Sequence, residues 1–294
     1  MKKKCIIIAG PTAVGKTAIA IQLAQHLDTC IISADSRQCY KELNIGVARP
    51  SPAEHAAVPH YFINSHSIHQ TVSAADFEQY ALHAAQEIFR EHDTVVMVGG
   101  TGLYIRAFAE GLDPLPPSDQ AIRNELNSLF QEQGIRGLQD LLEKEDPLFF
   151  ANGEIANPHR VMRALEIKSQ TGKSILAWQS GKKVTRDFDI QQICLELPND
   201  ILRKRIENRV QQMREAGLED EAKALFPYKD LNALQTVGYT ELFEHFEGRH
   251  SVDKAFDLIN IHTRQYAKRQ VTWFKKQEAM QTCTASYDEV LKLL

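Results

Sequence analysis

The sequence predicts an α/β fold in which helices flank a parallel sheet, with an all-helical domain inserted between two parts of that sheet. Three observations lead to this prediction. Short apolar runs alternate with helical patterns over the first hundred residues. A glycine-rich turn joins the first apolar run to the first helix. After the proline-rich stretch at 111–118 the chain is helical in pattern to about residue 172, and a strand pattern resumes at 192, which indicates a helical insertion over about 112–189.

The composition is that of an ordinary globular chain, and it excludes several classes of protein. Of the 294 residues, 43% are hydrophobic and 24% are charged, which excludes a disordered chain and a small disulfide scaffold. Thirty-four Lys and Arg stand against 38 Asp and Glu, a net charge of −4. This balance excludes a uniformly basic nucleic-acid binder but allows local basic stripes.

The cysteines and the N-terminus predict the compartment. The five cysteines are odd in number and contain no C-x-x-C pair, so we expect reduced thiols in a cytoplasmic protein. The apolar run at 5–9 is too short for a signal peptide. No run approaches the roughly 18 apolar residues that indicate a membrane span, so no membrane partner is expected.

The first hundred residues predict three buried strands and two helices. The strands are the apolar runs at 5–9, 30–33 and 94–98. One helix is expected at 16–27, and another at 73–91, where an S-x-x-D pattern marks the N-cap. The alternation predicts the parallel sheet.

The rest of the chain predicts the insertion and a return to the sheet. Residues 44–70 are expected to be loop, with an edge strand near 60–63. The strand pattern resumes at 192–197, so the predicted catalytic core is 1–111 with 190–294, and the insertion is 112–189. Asn199 is expected to cap a helix ending at 215, and Ser251 to open one that ends near 276. The second of these helices is expected to bury Ala255, Leu258, Ile259, His262 and Tyr266.

The strongest motif is GPTAVGKT at 10–17, which satisfies G-x-x-x-x-G-K-[ST] between a predicted strand and a predicted helix. Its glycines let successive backbone amides face a diphosphate, and the start of the helix adds positive potential. Lys16 supplies a charge, and the Thr17 hydroxyl suits Mg²⁺. The motif predicts a P-loop NTPase-like (nucleotide-kinase-like) sheet. The predicted diphosphate-binding residues are Gly10, Pro11, Thr12, Ala13, Val14, Gly15, Lys16 and Thr17.

Polar residues follow the next two predicted strands. Asp35 comes after the second strand, and Thr101 follows a Gly-Gly pair after the third. Because ligands of such sheets bind beyond the carboxyl ends of the strands, we expect both side chains beside the phosphate loop. Asp35 can serve there as a general base or as a ligand of a Mg²⁺-bound water. The alternatives are an Asx turn or cap at Asp35 and a tight helix-opening turn at Thr101.

Basic residues form two further clusters. Arg205 and Arg209 lie four residues apart beside the apolar stripe of one helix, where they can close over phosphates. The alternative is a solvated helix face. Arg160 and Arg163, with His159 beside them, lie on neighbouring turns within the insertion. Such stripes on an acidic protein suggest a polyanion along one face, although surface cations are common.

Seven stretches, in order along the whole chain, resemble the bacterial tRNA dimethylallyltransferase (tRNA isopentenyltransferase) family. A P-loop alone is widespread, whereas seven stretches in order are specific. They are GPTAVGKT (10–17), SADSRQCYKELNIGVARP (33–50), GGTGLYIRAFAEGL (99–112), NPHRVMRALEIKSQTGKS (157–174), RIENRVQQMREAGL (205–218), LQTVGYTEL (234–242) and TRQYAKRQVTWF (263–274).

The resemblance implies Mg²⁺-dependent transfer of a dimethylallyl group from its diphosphate to the exocyclic amine of the adenosine immediately 3′ of a tRNA anticodon. It implies that Asp35 is the general base, that Thr101 lies near the reacting centre, and that Lys16 binds diphosphate. Arg205 and Arg209 are then expected to neutralise the departing diphosphate, and the insertion to grip the anticodon stem-loop. The implied tRNA contacts are Asp35, Ser36, Arg37, Gln38, Thr101, Arg123, His159, Arg160, Val161, Met162 and Arg163.

Three other activities fit less well. An adenylate isopentenyltransferase acts on free nucleotides, which need no helical insertion to grip a stem-loop. A P-loop small-molecule kinase would bind ATP on the loop, but no acceptor-nucleotide signature is found. A non-catalytic RNA-binding protein is disfavoured because Lys16, Asp35 and Thr101 are all present. Val47 and Arg49 depart from the family's usual GTAKP stretch, and a single tRNA partner favours a monomer.

Overall fold

The computed structural model describes residues 2–294, and within them six strands form one sheet in which every neighbouring pair is parallel. The strands are β1 (Lys4–Ala9), β2 (Ile31–Ser33), β3 (His60–Tyr61), β4 (Thr94–Gly99), β5 (Asp189–Glu196) and β6 (Met280–Thr284). Their order is β3-β2-β4-β1-β5-β6. The segments that follow β2, β4 and β1 therefore lie side by side at one edge of the sheet. The α/β prediction with a parallel sheet is confirmed.

Twelve α-helices accompany the sheet in the described residues. They are α1 (Lys16–His26), α2 (Pro52–Ala57), α3 (Ala74–Ile88), α4 (Gly102–Glu110), α5 (Gln120–Glu145), α6 (Pro147–Asn152), α7 (Pro158–Thr171), α8 (Asn199–Glu215), α9 (Leu218–Leu225), α10 (Tyr239–Phe246), α11 (Val252–Phe274) and α12 (Tyr287–Leu291). β1 and β4 are buried along nearly their whole length, which is why each reads as a continuous apolar run.

The chain divides into two units. The first comprises the described residues of Met1–Gly111 together with Thr185–Leu294, and it contains the whole sheet. The second, Leu112–Val184, contains α5, α6 and α7 around its own core, in which Leu138 and Val161 are fully buried. The predicted insertion was 112–189, so the second unit ends five residues earlier, before β5 begins at Asp189.

The N-caps of three helices show where the predicted helix starts were right and where they were wrong. Ser73 and Asp76 form the expected capping box at the start of α3. The region 44–70 is not all loop, because Ser51 and Glu54 form a second capping box that opens α2. Asn199 is the first residue of α8 rather than its cap, since Pro198 occupies the N-cap position.

The long helix α11 begins after its Ser251 N-cap as expected, but its buried face is rotated from the predicted one. Ala255 and Ile259 are buried as predicted. Tyr266 is instead 37% exposed, and Ala267 and Gln270 are buried. No helix within residues 2–294 combines the length and the apolar character that crossing a bilayer requires.

Candidate active site

The phosphate loop joins β1 to α1, which confirms the structural context that the motif requires. Gly10 and Gly15 have φ values of +144° and +104°, in the region that favours glycine. A Cβ at Gly10 would lie 2.8 Å from the Leu195 carbonyl oxygen, so only glycine fits there. Lys16 donates a hydrogen bond of 2.7 Å from Nζ to the Pro11 carbonyl oxygen and thereby spans the loop.

The surroundings of Lys16 favour the binding of an anion beside it. Burial first, and then the nearby Arg209 guanidinium, lower its pKa from 10.5 to about 8, whereas the Asp35 carboxylate acts in the opposite direction. An anion placed on the loop would favour the ammonium in the same way that Asp35 does. A diphosphate bound on the loop would therefore stabilise the buried positive charge of Lys16.

Asp35 and Thr101 lie on the neighbouring strand ends and are held in place by hydrogen bonds. Asp35 Oδ1 accepts bonds of 2.9 and 3.2 Å from the backbone amides of Arg37 and Gln38. Thr101 Oγ1 accepts a bond of 3.1 Å from the Ser36 amide. Oδ1 of Asp35 thus forms the Asx turn that was the alternative prediction. Oδ2 makes no hydrogen bond to any other part of residues 2–294. The second oxygen stays available for a proton.

Residues at the strand ends line one cleft that opens to solvent. Six of the predicted site residues line it: Thr12, Lys16, Thr17, Asp35, Gln38 and Arg209. Thr101 is adjacent to the lining residue Gly100 and bonds to the Asp35 segment. The lining residues are Thr12, Lys16, Thr17, Ser33, Asp35, Gln38, Ala48, Pro50, His60, Ile63, Val98, Gly99, Gly100, Arg209, Tyr266 and Gln270.

The two arginines of α8 have different positions. Arg209 lines the cleft; burial lowers its pKa, and the Asp35 carboxylate acts in the opposite direction. Arg205 is exposed, and its Nη1 donates a bond of 2.9 Å to the Val14 carbonyl oxygen. Arg205 therefore braces the phosphate loop from outside, whereas Arg209 contributes charge to the cleft. The alternative of a solvated helix face is wrong for Arg209.

Gln38 links the Asp35 segment to the loop at 45–50. Its Nε2 donates bonds of 3.2 and 3.1 Å to the carbonyl oxygens of Val47 and Ala48, while its Oε1 accepts from the Ser33 hydroxyl at 3.2 Å. The Val47 side chain has no part in this contact, because the loop is held through its backbone. The contact therefore does not require a particular side chain at position 47.

Glu221 anchors the same loop from the opposite side. Its carboxylate accepts bonds from the Ile45 and Gly46 amides, at 2.8 and 3.0 Å, and from the buried Tyr239 hydroxyl at 2.6 Å. Arg49 donates bonds of 3.0 and 2.9 Å to two carbonyl oxygens of the turn that precedes the loop. Arg49 thus holds the turn together through its own side chain. The role of Glu221 was not predicted from the sequence.

Two residues of α11 also belong to the site and were missed from the sequence. Gln270 is 6% exposed and bonds to both the phosphate loop and the end of β4. The Tyr266 hydroxyl lies near Thr101 and Asp35, and burial of that hydroxyl raises the pKa of Tyr266 to about 12. Tyr266 and Gln270 lie four residues apart, and this spacing was the only sign in the sequence that they share one face of the helix. Tyr266 had been predicted to lie on the buried face.

The predicted RNA contacts of the insertion fall into two groups. Arg123 and Arg163 lie 3.5 and 2.9 Å from Oε2 of Glu166, which is fully buried, and Arg160 pairs with the exposed Glu154 at 3.1 Å. Val161 and Met162, by contrast, are buried in the core of this unit: Val161 is fully enclosed and Met162 is 3% exposed. The prediction that these two side chains contact tRNA is wrong, because they pack the helix that carries the arginines. His159 stays a predicted contact.

Comparison with known proteins gives one consistent result. The model of the IPP transferase family matches residues 38–277. The tRNA dimethylallyltransferases of Cytophaga hutchinsonii and Christiangramia forsetii are 43% and 46% identical over 276 residues, which cover 94% of this chain and 91% of each relative.

Solved structures agree over nearly the whole chain. The tRNA isopentenylpyrophosphate transferase of Bacillus halodurans matches with a TM-score of 0.73 at 33% identity, covering 99% of this chain and 94% of that one. A eukaryotic dimethylallyltransferase acting on tRNA matches with a TM-score of 0.79 at 28% identity, covering 97% of this chain and 74% of that one.

Proposed function

The chain belongs to the IPP transferase family, and we propose that it transfers a dimethylallyl group from dimethylallyl diphosphate to the N6 amine of the adenosine immediately 3′ of a tRNA anticodon. One observation carries the proposal. Three neighbouring strand ends carry the phosphate loop, Asp35 and Thr101; residues of the loop and Asp35 line one cleft, and Thr101 bonds to the Asp35 segment beside it. The product would be N6-(dimethylallyl)adenosine in the tRNA.

The cleft suits the bond changes of this transfer. The allylic C1–O bond breaks and the diphosphate leaves, while the N6 lone pair forms the new bond to C1. Lys16 and Arg209 stabilise the negative charge on the leaving diphosphate. The adenine amine is a weak nucleophile, so its proton must be taken as the C–N bond forms, and Asp35 Oδ2 is the acceptor.

The cleft also fits Mg²⁺, which we propose as the cofactor. Thr17, whose hydroxyl is the proposed protein ligand, lines it, and Mg²⁺ is commonly bound by a few protein oxygens together with substrate phosphates and water. Bound Mg²⁺ would help to neutralise the charge on the diphosphate. Asp35 has one carboxylate oxygen already held by two backbone amides, which keeps the other in place.

The second unit is the part we propose to contact the anticodon stem-loop. Its Arg123, Arg160 and Arg163 are suited to phosphate oxygens, and the target base must leave the loop stack to be modified. We propose that it acts as a monomer, since a single tRNA partner requires only one chain, and that it acts in the cytoplasm, where tRNA is available.

Transfer of radiolabel from dimethylallyl diphosphate tests the proposal. The acceptors are an anticodon stem-loop with adenosine 3′ of the anticodon, its guanosine variant and free AMP, each with Mg²⁺. We expect label in the adenosine stem-loop alone, and its loss in Asp35→Ala. The matched control is Asp93→Ala, an exposed aspartate at the opposite edge of the sheet, before β4.

Three results would overturn the proposal or part of it. Label in AMP but not in the stem-loop would assign the chain to free nucleotides. No label in any acceptor, together with ATP-dependent phosphate transfer, would assign it to the kinases. Equal label with Asp35→Ala and wild type would remove Asp35 from the mechanism.

A further inference from the structure

One face of α11 carries two aromatic rings, the exposed Tyr266 and the half-buried Trp273, and each has an arginine beside it. Tyr266 is 37% exposed, and the Arg269 guanidinium carbon lies 5.8 Å from its ring centroid. Trp273, two turns further along, has the Arg106 guanidinium carbon 5.9 Å from its own ring centroid. We call these four residues the Tyr266–Trp273 platform.

The platform lies beside the reacting end of the cleft. Tyr266 lines the cleft, and its hydroxyl lies near Thr101. Trp273 packs on the next residue, Gly102, so closely that a Cβ there would lie 2.1 Å from the indole Nε1. The two rings therefore flank the start of α4, where Thr101 is the N-cap.

The surroundings of the platform are positive. From 258 to 277 the chain contains no Asp or Glu. Neither Arg269 nor Arg106 has a carboxylate within 4 Å among the described residues, although Arg264 on the same helix pairs with Glu207. The cations on this segment are Arg264, Lys268, Arg269, Lys275 and Lys276.

We propose that this platform binds the unpaired nucleotides next to the target adenosine in the anticodon loop, with bases stacked on the rings and phosphates beside the arginines. The inference rests on the proposed function. Exposed aromatic faces interleaved with cations are the surface that single-stranded nucleic acid recognises, because every base has a face that stacks and every nucleotide has a phosphate. Duplex RNA hides those faces, so the partner is the loop rather than the stem.

The position of the platform explains what it contributes to the reaction. A base that leaves the loop stack loses its contacts with both neighbours, which are then exposed at the mouth of the cleft. Tyr266 stands at that mouth and can replace the lost stacking partner. The platform therefore holds the loop open while the target amine reaches Asp35.

Binding of a fluorescent stem-loop to the full chain, without dimethylallyl diphosphate, tests the proposal. We expect Tyr266→Ala to weaken stem-loop binding about tenfold. Tyr266→Phe keeps the ring, so its affinity should be close to that of wild type. Arg269→Gln should reduce the salt dependence of binding. The matched controls are Tyr228→Ala, at a tyrosine that is 45% exposed outside the cleft lining, and Arg90→Gln, at an exposed arginine before β4.

A second RNA makes the test specific to stacking. Abasic sites in place of the bases that flank the target adenosine should weaken binding by wild type but leave the affinity of Tyr266→Ala unchanged. Additive effects of the two changes, or equal binding by wild type and Tyr266→Ala, would overturn the platform. Label transfer by wild type is measured separately, so its absence would refute the proposed function without deciding the binding result.

Discussion

The backbone amide of Thr12 donates a hydrogen bond of 2.8 Å to Oε1 of Gln270, a residue 258 positions later in the chain. The Nε2 atom of the same side chain donates a bond of 2.9 Å to the Gly100 carbonyl oxygen. One buried amide thus connects the phosphate loop, the end of β4 and α11. The site is held together by this residue as well as by the sheet.

Replacement of Gln270 by Glu tests this connection. The carboxylate still accepts from Thr12 but cannot donate to the Gly100 carbonyl, and it adds negative charge beside the diphosphate site. We expect a loss of about 1–3 kcal/mol in the free energy of unfolding, and a raised KM for dimethylallyl diphosphate. Denaturant unfolding and steady-state kinetics measure the two effects, and unchanged values of both would show that Gln270 has no such role.

Asp35→Asn separates proton transfer from binding. The amide keeps the size and one acceptor oxygen but cannot take the N6 proton. We expect kcat to fall by about 10²- to 10⁴-fold, with the affinity for the stem-loop within a few-fold of wild type. Single-turnover label transfer and RNA binding, measured on the same preparation, check this. A fall in affinity that accounts for the whole loss would make Asp35 a binding residue only.

The lowered pKa of Lys16 predicts a pH dependence of diphosphate binding. Burial first, and then Arg209, lower this pKa to about 8, so above that pH the free protein loses the charge that the ligand needs. Because bound diphosphate favours the ammonium, binding takes up a proton, and Kd should rise by up to about tenfold per pH unit above 8. Lys16→Arg keeps its charge, so its Kd should stay level over the same range. Calorimetric titration of inorganic diphosphate between pH 7 and 9.5 measures both, and a level Kd for wild type would contradict the prediction.

Glu166 is expected to organise the arginines of the second unit. Its fully buried carboxylate pairs with Arg163 and Arg123, and it accepts a bond of 2.7 Å from the Asp119 amide. We expect Glu166→Gln to cost on the order of 3 kcal/mol in unfolding free energy and to raise the KM for the stem-loop more than that for dimethylallyl diphosphate. Glu154→Gln, which removes the exposed partner of Arg160, should cost less than about 1 kcal/mol.

The pKa of Glu166 gives this prediction a second readout. Burial alone would raise it, but hydrogen bonds from Ser118, Arg163 and Asp119 outweigh burial and lower it below 4.5. A carboxylate whose folded pKa is lowered stabilises the fold above its unfolded pKa, and this contribution disappears as the pH falls through the folded pKa. Stability of wild type should thus fall more steeply below pH 4.5 than that of Glu166→Gln; parallel curves would contradict the role.

Local signals in the sequence were enough to predict the sheet and the phosphate loop. β1 and β4 are buried on both faces, so their apolar runs are continuous, and the GPTAVGKT spacing is itself the geometry of the loop. The start of α3 was predictable because a capping box involves only residues three apart. The same pattern at Ser51 was overlooked inside a region that composition had marked as loop.

The rest of the site depends on contacts that no local pattern records. Gln270 and Glu221 act on loops more than 150 residues away, so their roles appear only when the chain is folded. Tyr266 fits the apolar periodicity of α11 as well as Ala267 does. Which of the two is buried depends on the packing of the helix beside Thr101 and the cleft, and it is Ala267. Val161 and Met162 lie within a stretch that resembles an RNA-contacting one, but their alternation with the arginines puts them in the core.

A crystal structure of the protein with a non-reactive thio analogue of dimethylallyl diphosphate, Mg²⁺ and the adenosine stem-loop tests the central claim most directly. The account predicts the diphosphate on the loop from Gly10 to Thr17, and the target N6 within about 3 Å of an Asp35 carboxylate oxygen, the reach of a general base. A diphosphate bound elsewhere, or an adenine that remains stacked in the RNA loop away from Asp35, would contradict it.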